Sequence, residues 1–186
     1  SGPASQLSGL SLAVGGGLAR GLERLGAQGV CLKWPNDVLL RQGAGFAKLA
    51  GILIELASDR RGTQVVIGIG INLQKPPGDF PQPVAGLNQA FEVLPERHDV
   101  LAAILVAVVE ALEVVAVDGF FALKNEWQAR HAWQDQPVQL LADEAPPLFG
   151  RCLGADNDGA LLLESENGIQ RIFSGDVSLR LGMLQP

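Results

Sequence analysis

The sequence predicts an α+β protein in which a mixed β-sheet with packed helices is followed by a small β-barrel. Two observations support this fold class. Segments with helical spacing flank a run of short apolar strands, and after Trp133 the pattern changes to five short apolar runs separated by turns. With 186 residues, 47% of them apolar, the chain can bury a core. We therefore expect two domains, residues 1–135 and 136–186.

The first predicted element is an amphipathic helix over residues 10–25. Leucine and valine recur there at helical spacing, with charged residues between them, and Gly26 follows as a stop signal. The run of three glycines at 15–17 allows two interpretations, a phosphate-binding loop or a close helix contact. A dinucleotide fingerprint requires a third glycine where Arg20 stands. We therefore favour close packing.

The next elements are four strands, predicted over residues 30–32, 38–40, 49–56 and 65–73. Turn residues separate these short apolar runs, which indicates a mixed sheet rich in hairpins. Residues 74–96 then contain five prolines and little periodicity. Long segments of this kind in compact domains are usually functional or mobile loops.

The most apolar segment, residues 100–117, approaches the length of a membrane span. Acidic residues interrupt and follow it, so we predict a buried helix and no membrane association. Asp99 is its expected N-cap. The side chains expected to be buried are Leu101, Ile104, Leu105, Val108, Leu112 and Val115. A further helix is predicted over residues 120–131.

The C-terminal region contains five short apolar runs, at residues 138–141, 148–153, 160–163, 169–173 and 177–179. Glycine- and asparagine-containing turns separate them, which is typical of a small antiparallel barrel.

Composition excludes several classes of function. A net charge of −6 with only 14 scattered basic residues argues against a nucleic-acid-binding surface. Cys31 and Cys152 lie far apart, and only His98 and His131 could add nitrogen ligands, so a zinc site is not expected. The two cysteines suit a reducing compartment, and the N-terminus has no signal-peptide pattern. We predict a cytoplasmic protein.

The segment Lys33-Trp34-Pro35-Asn36-Asp37 is the most informative for chemistry. A strand here delivers a cation, an aromatic ring, an amide and a carboxylate to one turn, and proline fixes the backbone before a ligand arrives. Fixed polar groups of this kind suit a site that orients two reactants. A polar hairpin turn with a packed tryptophan explains the same residues.

This segment resembles the signature of bacterial biotin protein ligases. Three further segments resemble the family in the same order along the chain. They are residues 48–55 with sequence KLAGILIE, residues 68–73 with sequence GIGINL, and residues 154–163 together with 174–180, which resemble the terminal SH3-like module. The resemblance covers nearly the whole chain, and it implies a biotin and lipoate ligase-like catalytic domain followed by an SH3-like domain.

The resemblance implies that biotin and Mg-ATP form biotinyl-5'-AMP, and that biotin then passes to a lysine of the biotin carboxyl carrier protein of acetyl-CoA carboxylase or a related enzyme. Lys48 would bridge the biotin carboxylate and the α-phosphate, where a cation relieves their repulsion. Asp37 would orient or deprotonate the carrier lysine. Without these roles, Lys48 is a strand-end lysine with an extended side chain and Asp37 an Asx-turn residue.

The remaining predicted site residues bind substrates. The resemblance implies that Lys33, Trp34, Pro35 and Asn36 bind substrate or nucleotide, and for Lys33 and Asn36 a contact with phosphate and a role in holding the turn both stay open. Gly51 would let the backbone approach the ligand. Asn72 would lie beside the phosphates and their Mg²⁺, and its alternative is the simple end of a strand.

Two departures from the family pattern bear on activity. Residues 41–47 form a longer insert than the usual hairpin. The family's loop rich in glycine and arginine is not found, so by this comparison the chain begins inside the catalytic domain. We expect such a fragment alone to be inactive, because an uncovered acyl-adenylate is lost to water.

Alternatives remain open at this point. They are a lipoate-attaching relative, a biotin-responsive transcriptional repressor, and a non-enzymatic remnant that only binds a partner. Binding to DNA would require a helix-turn-helix upstream of Ser1. The sequence leaves a homodimer open.

Overall fold

The computed structural model describes residues 3–59, 62–142, 145–173 and 177–182. The elements in chain order are α1 (Pro3–Arg24), β1 (Val30–Lys33), β2 (Asp37–Gln42), β3 (Gly45–Asp59), β4 (Gly62–Ile71), α2 (Arg97–Asp118), α3 (Lys124–Arg130), β5 (Pro137–Ala142), β6 (Ala145–Ala155), β7 (Leu161–Ser165), β8 (Gly168–Ile172) and β9 (Val177–Leu181). Short 3-10 helices occupy Leu87–Gln89 and Phe120–Leu123. The α+β class is confirmed.

The glycine-rich part of α1 packs directly on α2. A Cβ atom at Gly17 would lie 2.9 Å from the carbonyl oxygen of Ala107, and one at Gly21 would lie 2.8 Å from that of Ala103. Both distances are too short for real side chains, so glycine at these two positions allows the helices to approach. The prediction of close helix packing is confirmed at Gly17, whereas a Cβ at Gly16 would meet nothing within 4 Å.

The first sheet has the strand order β1-β2-β3-β4, and its strands pair antiparallel, so the prediction of a mixed sheet was wrong. Within the described residues, two isolated parallel bridges join this sheet to other segments, Leu32 of β1 to His131 and Lys48 of β3 to Val84. The register places Asp37 opposite Gly51, and Gly51 opposite Gly70. Three neighbouring strands thus bring one carboxylate and two glycines into line across the sheet.

Helix α2 is only partly buried, and the prediction of a buried helix was wrong in this respect. Ile104 and Val108 face α1, but Leu101 and Leu105 are 56% and 54% exposed. The prediction of Asp99 as the N-cap was also wrong, because the helix begins at Arg97 and Glu96 is its N-cap. By length and composition α2 is apolar enough to cross a membrane, and 28% of its most apolar stretch is buried. One face packs on α1, and apolar residues continue around the opposite face.

The C-terminal strands form a second antiparallel sheet in the order β8-β7-β6-β5-β9. All five predicted apolar runs overlap a strand of this sheet. Its closure into an SH3-like barrel stays a prediction. Residues 174–176, which belong to one of the segments that resemble the family, lie outside the described residues.

Two hydrogen bonds join the second sheet and the segment before it to the first sheet. The indole N–H of Trp34 donates to the carbonyl oxygen of Gly159, at 3.1 Å. The backbone N–H of Ala132 donates to the carbonyl oxygen of Leu32, at 2.8 Å. Both contacts start from residues next to Lys33, so the second sheet is fixed at the position where the predicted signature begins.

Candidate functional site

A buried carboxylate held between two ammonium groups forms the centre of the candidate site. The two oxygens of Asp37 accept from different lysines, Oδ2 from Nζ of Lys33 and Oδ1 from Nζ of Lys48, each at 2.6 Å. The side chains of Lys33 and Asp37 are each 7% exposed, whereas that of Lys48 is 33% exposed. The carboxylate therefore joins a buried cation to one that reaches solvent.

The strands explain why these three residues meet. Lys33 ends β1 and Asp37 begins β2, so the turn between them brings the two side chains together as a directly paired couple. Lys48 lies on the neighbouring strand β3, where the register shifts between Val38 and Leu39. Leu39 pairs with Lys48 because β3 contains one extra residue at this shift. Side chains alternate between the two faces of a strand, so the extra residue turns the Lys48 side chain to the face on which Asp37 lies.

Charge pairing keeps Asp37 ionised in spite of its burial. Burial alone would raise the pKa of this carboxyl, but the ammonium groups of Lys33 and Lys48 lower it below its usual value. Burial lowers the pKa of Lys33, and attraction to Asp37 offsets part of that effect. The site thus holds a carboxylate and two lysines in a partly dry environment, where electrostatic interactions are stronger than in water.

A cavity of about 340 Å³ opens beside Lys48. Its walls combine two cations, two amides, an aromatic ring and two glycines without side chains, contributed by Lys48, Arg180, Asn72, Gln82, Phe80, Gly51 and Gly70. A Cβ atom at Gly51 would lie 3.4 Å from Cε and 3.5 Å from Nζ of Lys48. Glycine at this position leaves the space in front of the lysine head group open.

Asn72 is fixed where β4 ends and the proline-rich segment begins. Its backbone N–H donates to Leu49, and its side-chain amide donates to the carbonyl oxygen of Ala85, at 3.1 Å. Its carbonyl oxygen accepts from Leu87. The proline-rich segment predicted to be a functional loop supplies Pro76, Phe80, Pro81, Gln82 and Val84 to the same cavity.

A second cavity, of about 290 Å³, lies next to Lys33, Phe46 and Trp133. Lys48, Gln82 and Arg180 line both cavities. These three side chains therefore stand between the two spaces, and an anion that bridged the cavities would meet the charges of Lys48 and Arg180.

The structure separates the remaining signature residues from this centre. Trp34 is fully buried and donates to Gly159 in the turn between β6 and β7. Pro35 is half-buried, and its carbonyl oxygen accepts from the Ser11 hydroxyl. Asn36 is exposed and donates to the carbonyl oxygen of Ile52, at 2.9 Å. Asn36 lines a shallow space with Gly51 and Gly70. Trp34 instead has a structural role, because it is buried.

Arg180 and Gln82 are candidate site residues that the sequence did not identify. They lie 98 positions apart and meet through a hydrogen bond of 3.3 Å from the guanidinium of Arg180 to Oε1 of Gln82. Arg180 belongs to β9, which pairs with β5. No local pattern marks an arginine in a short strand as a site residue, so only the pairing of the second sheet reveals it.

Asn72 offers one side-chain oxygen to a cation that arrives with a phosphate ligand. Within the described residues there is no group of three or more His, Cys, Asp or Glu side chains that could hold a metal. The amide nitrogen of Asn72 is engaged, so its oxygen is the atom that could ligate Mg²⁺. Magnesium usually takes few protein ligands together with substrate phosphates and waters, which is compatible with this arrangement.

Two family models match the chain. Residues 3–72 match the biotin/lipoate A/B protein ligase family, and residues 135–180 match the biotin protein ligase C terminal domain. The first match contains the Lys33, Asp37, Lys48, Gly51 and Asn72 positions, and the second contains Arg180.

Curated relatives agree with these matches. The bifunctional ligase/repressor BirA of Escherichia coli is 36% identical over 186 residues, covering 96% of this chain and 55% of that relative. The biotin--[acetyl-CoA-carboxylase] ligase of Paracoccus denitrificans is 34% identical, covering 80% of this chain and 62% of that relative. The chain spans about half the length of the first of these.

Solved structures show the same fold. A crystal structure of the biotin protein ligase from Aquifex aeolicus superposes with a TM-score of 0.82 at 28% identity, covering 95% of this chain and 76% of that chain. The complex of that protein with biotin and ATP gives a TM-score of 0.81, at 28% identity, with 95% of this chain and 73% of that chain covered. By its two family segments, its relatives and its fold, the chain belongs to the biotin protein ligase family.

Proposed function

We propose that this chain is the part of an ATP-dependent biotin protein ligase that neutralises the reacting phosphate and carboxylate groups and then receives the carrier lysine. The complete activity would form biotinyl-5'-AMP and transfer biotin to a lysine of a biotin carboxyl carrier domain. The observation that carries the proposal is the position of Lys48, which is paired with the buried Asp37 and exposed to the cavity that contains Asn72 and Arg180.

In the first step, Lys48 and Arg180 supply positive charge where two anions must approach each other. A biotin carboxylate and an α-phosphate repel, and a cation between them lowers the energy of their approach and of the charge that develops at phosphorus. Asp37 keeps the Lys48 ammonium in place before substrates arrive. The amide oxygen of Asn72 would contact Mg²⁺ that enters bound to ATP.

In the second step, Asp37 would orient the carrier lysine or accept its proton. Both carboxylate oxygens are engaged by Lys33 and Lys48. A carrier lysine would therefore reach Asp37 by replacing Lys48, which is the exposed partner. A carboxylate beside an ammonium is suited to this exchange.

Other features belong to the same proposal. We propose that residues 1–135 are the catalytic portion and residues 136–186 an SH3-like domain, and that the protein works in the cytoplasm. Biotin carboxyl carrier protein is the proposed partner. A homodimer, and DNA binding by a domain upstream of Ser1, stay predictions.

The proposal is tested by ligand binding to the purified chain. Titration calorimetry with Mg-ATP and with biotin should give binding that is lost in Lys48→Ala and weakened in Arg180→Ala. Lys75→Ala is the matched control, because this exposed lysine lies outside the residues that line the cavity. Equal binding by Lys48→Ala and the unsubstituted chain would contradict the proposal.

Parallel titrations with lipoate separate the two vitamins. Biotin binding without lipoate binding supports biotin ligation, and the reverse result favours a lipoate-attaching relative. A carrier-biotinylation assay of the chain, alone and with an N-terminal segment taken from a longer relative, tests the prediction that these residues alone are inactive. Full-rate biotinylation by the chain alone would contradict that prediction.

A further inference from the structure

The segment that links the two sheets also touches the buried side of the candidate site. Trp133 lies in this segment, with its ring centroid 5.4 Å from Nζ of Lys33. Its neighbour Ala132 donates to Leu32 of β1, and Asp135 donates to Cys152 of β6. Trp133 is therefore held between the first and second sheets while its ring faces the Lys33 ammonium.

We propose that Trp133 is a positioning residue for the candidate site, where its ring face stabilises the Lys33 ammonium and thereby keeps Asp37 shared between Lys33 and Lys48. This inference rests on the proposed function, because it concerns how that site is assembled. It assigns to the segment that links the two sheets a contribution that reaches Lys48 through three contacts, from Trp133 to Lys33, from Lys33 to Asp37, and from Asp37 to Lys48.

The environment of Lys33 explains why an aromatic ring matters there. The lysine is buried, and the positive charges of Lys48 and Arg180 oppose its ionisation, while Asp37 favours it. The electron-rich face of an indole attracts a cation, most strongly where water is excluded. The ring adds this attraction without contributing a formal charge.

The ring face, rather than the indole N–H, is the relevant group. Trp133 is 8% exposed, and its Nε1 has no hydrogen-bond partner among the described residues. A phenylalanine at this position would keep a cation-binding face and lose no hydrogen bond. A leucine would keep apolar packing and lose the face.

These properties define a direct test on the purified chain. The Lys33 ammonium is titrated by NMR of its side-chain Cε–Hε group, with Lys33→Arg providing the assignment. Trp133→Leu should lower the titration midpoint of Lys33 by about half a pH unit or more, while Trp133→Phe should move it less. A purely structural role would give the same midpoint in Leu and Phe variants that remain folded.

A second substitution keeps the test decisive if Trp133→Leu fails to fold. Ring-fluorinated tryptophan placed at position 133 alone preserves shape and weakens the negative face, so it should also lower the Lys33 midpoint. The same analogue at Trp127 is the control, because that ring stacks on His131 with centroids 4.7 Å apart. An unchanged midpoint with fluorinated Trp133 would overturn the proposal, even if the leucine variant changed it.

The pH dependence of Mg-ATP binding distinguishes this inference from the proposed function. As the pH rises, binding of Mg-ATP by Trp133→Leu should begin to weaken at a lower pH than binding by the unsubstituted chain, because Lys33 loses its proton earlier. If the unsubstituted chain binds no ATP and no biotin, the proposed function fails, and the NMR titration still decides whether the ring stabilises Lys33.

Discussion

The two sides of Asp37 differ in a way that separates stability from reactivity. On one side, Lys33 is buried with Asp37 and packed under Trp133. On the other side, Lys48 makes an equally short contact, at 2.6 Å, but lines two cavities. The two ion pairs therefore have the same distance, but only Lys48 is accessible to a ligand. Burial, rather than distance, distinguishes the structural ion pair from the accessible one.

The largest expected effect is on the buried side. Lys33→Ala should lower the free energy of unfolding by about 3 kcal/mol, because it removes a partner from a buried carboxylate. Lys48→Ala should cost less than about 1 kcal/mol, since that pair is partly solvated. Urea denaturation of both variants measures the difference. Equal losses would show that the two sides are energetically alike and remove the basis of the comparison.

An acid titration tests a second buried group in the linking segment. Burial lowers the pKa of His131 to about 4, below its ordinary 6.5. Between these values the unfolded chain binds a proton that the folded chain does not, so stability should fall as the pH falls from 6.5 to 4. This difference between the two pKa values corresponds to a loss of free energy of unfolding on the order of 3 kcal/mol.

The pH dependence should be reduced in His131→Phe, which can keep a stacked ring on Trp127. Substitution of His98, whose side chain is 80% exposed, is the control. Denaturation at several pH values between 4 and 7 provides the measurement. An unchanged slope in His131→Phe would assign the acid sensitivity to other groups.

Substitution of Lys48, the exposed partner of Asp37, should affect activity. In the complete ligase, Lys48→Ala should lower the rate of adenylate formation at least tenfold, about 1.4 kcal/mol of transition-state stabilisation, because the carboxylate and the α-phosphate would lose the cation between them. Pyrophosphate release measures this step, and Lys75→Ala should leave it unchanged. Normal release by Lys48→Ala would exclude the role proposed for this lysine.

The smallest expected difference lies between two half-reactions of one variant. Asp37→Asn retains the size of the side chain but removes its charge, so it should spare adenylate formation more than transfer to the carrier. Pyrophosphate release and carrier biotinylation, measured on the same preparation, give the comparison. Equal losses in both steps would indicate that Asp37 is mainly structural and acts through its two lysines.

The sequence by itself determined the α+β class, the four strands of the first sheet and the five short strands of the second, because apolar spacing depends only on neighbouring residues. It also identified Lys33, Asp37 and Lys48, which the structure brings into contact. The glycine run predicted a close helix contact, which is found at Gly17, but it did not indicate that α2 is the partner. These are features that short segments encode.

Only the tertiary structure decided the rest. Leu101 and Leu105 have the same helical spacing as Ile104 and Val108, and which of them is buried depends on where α1 lies. Trp34 occupies the predicted signature but is buried against the second sheet, whereas Arg180 and Trp133 reach the site from distant segments. Strand pairing and the packing of one sheet on another join residues far apart in the chain, and no local pattern records those contacts.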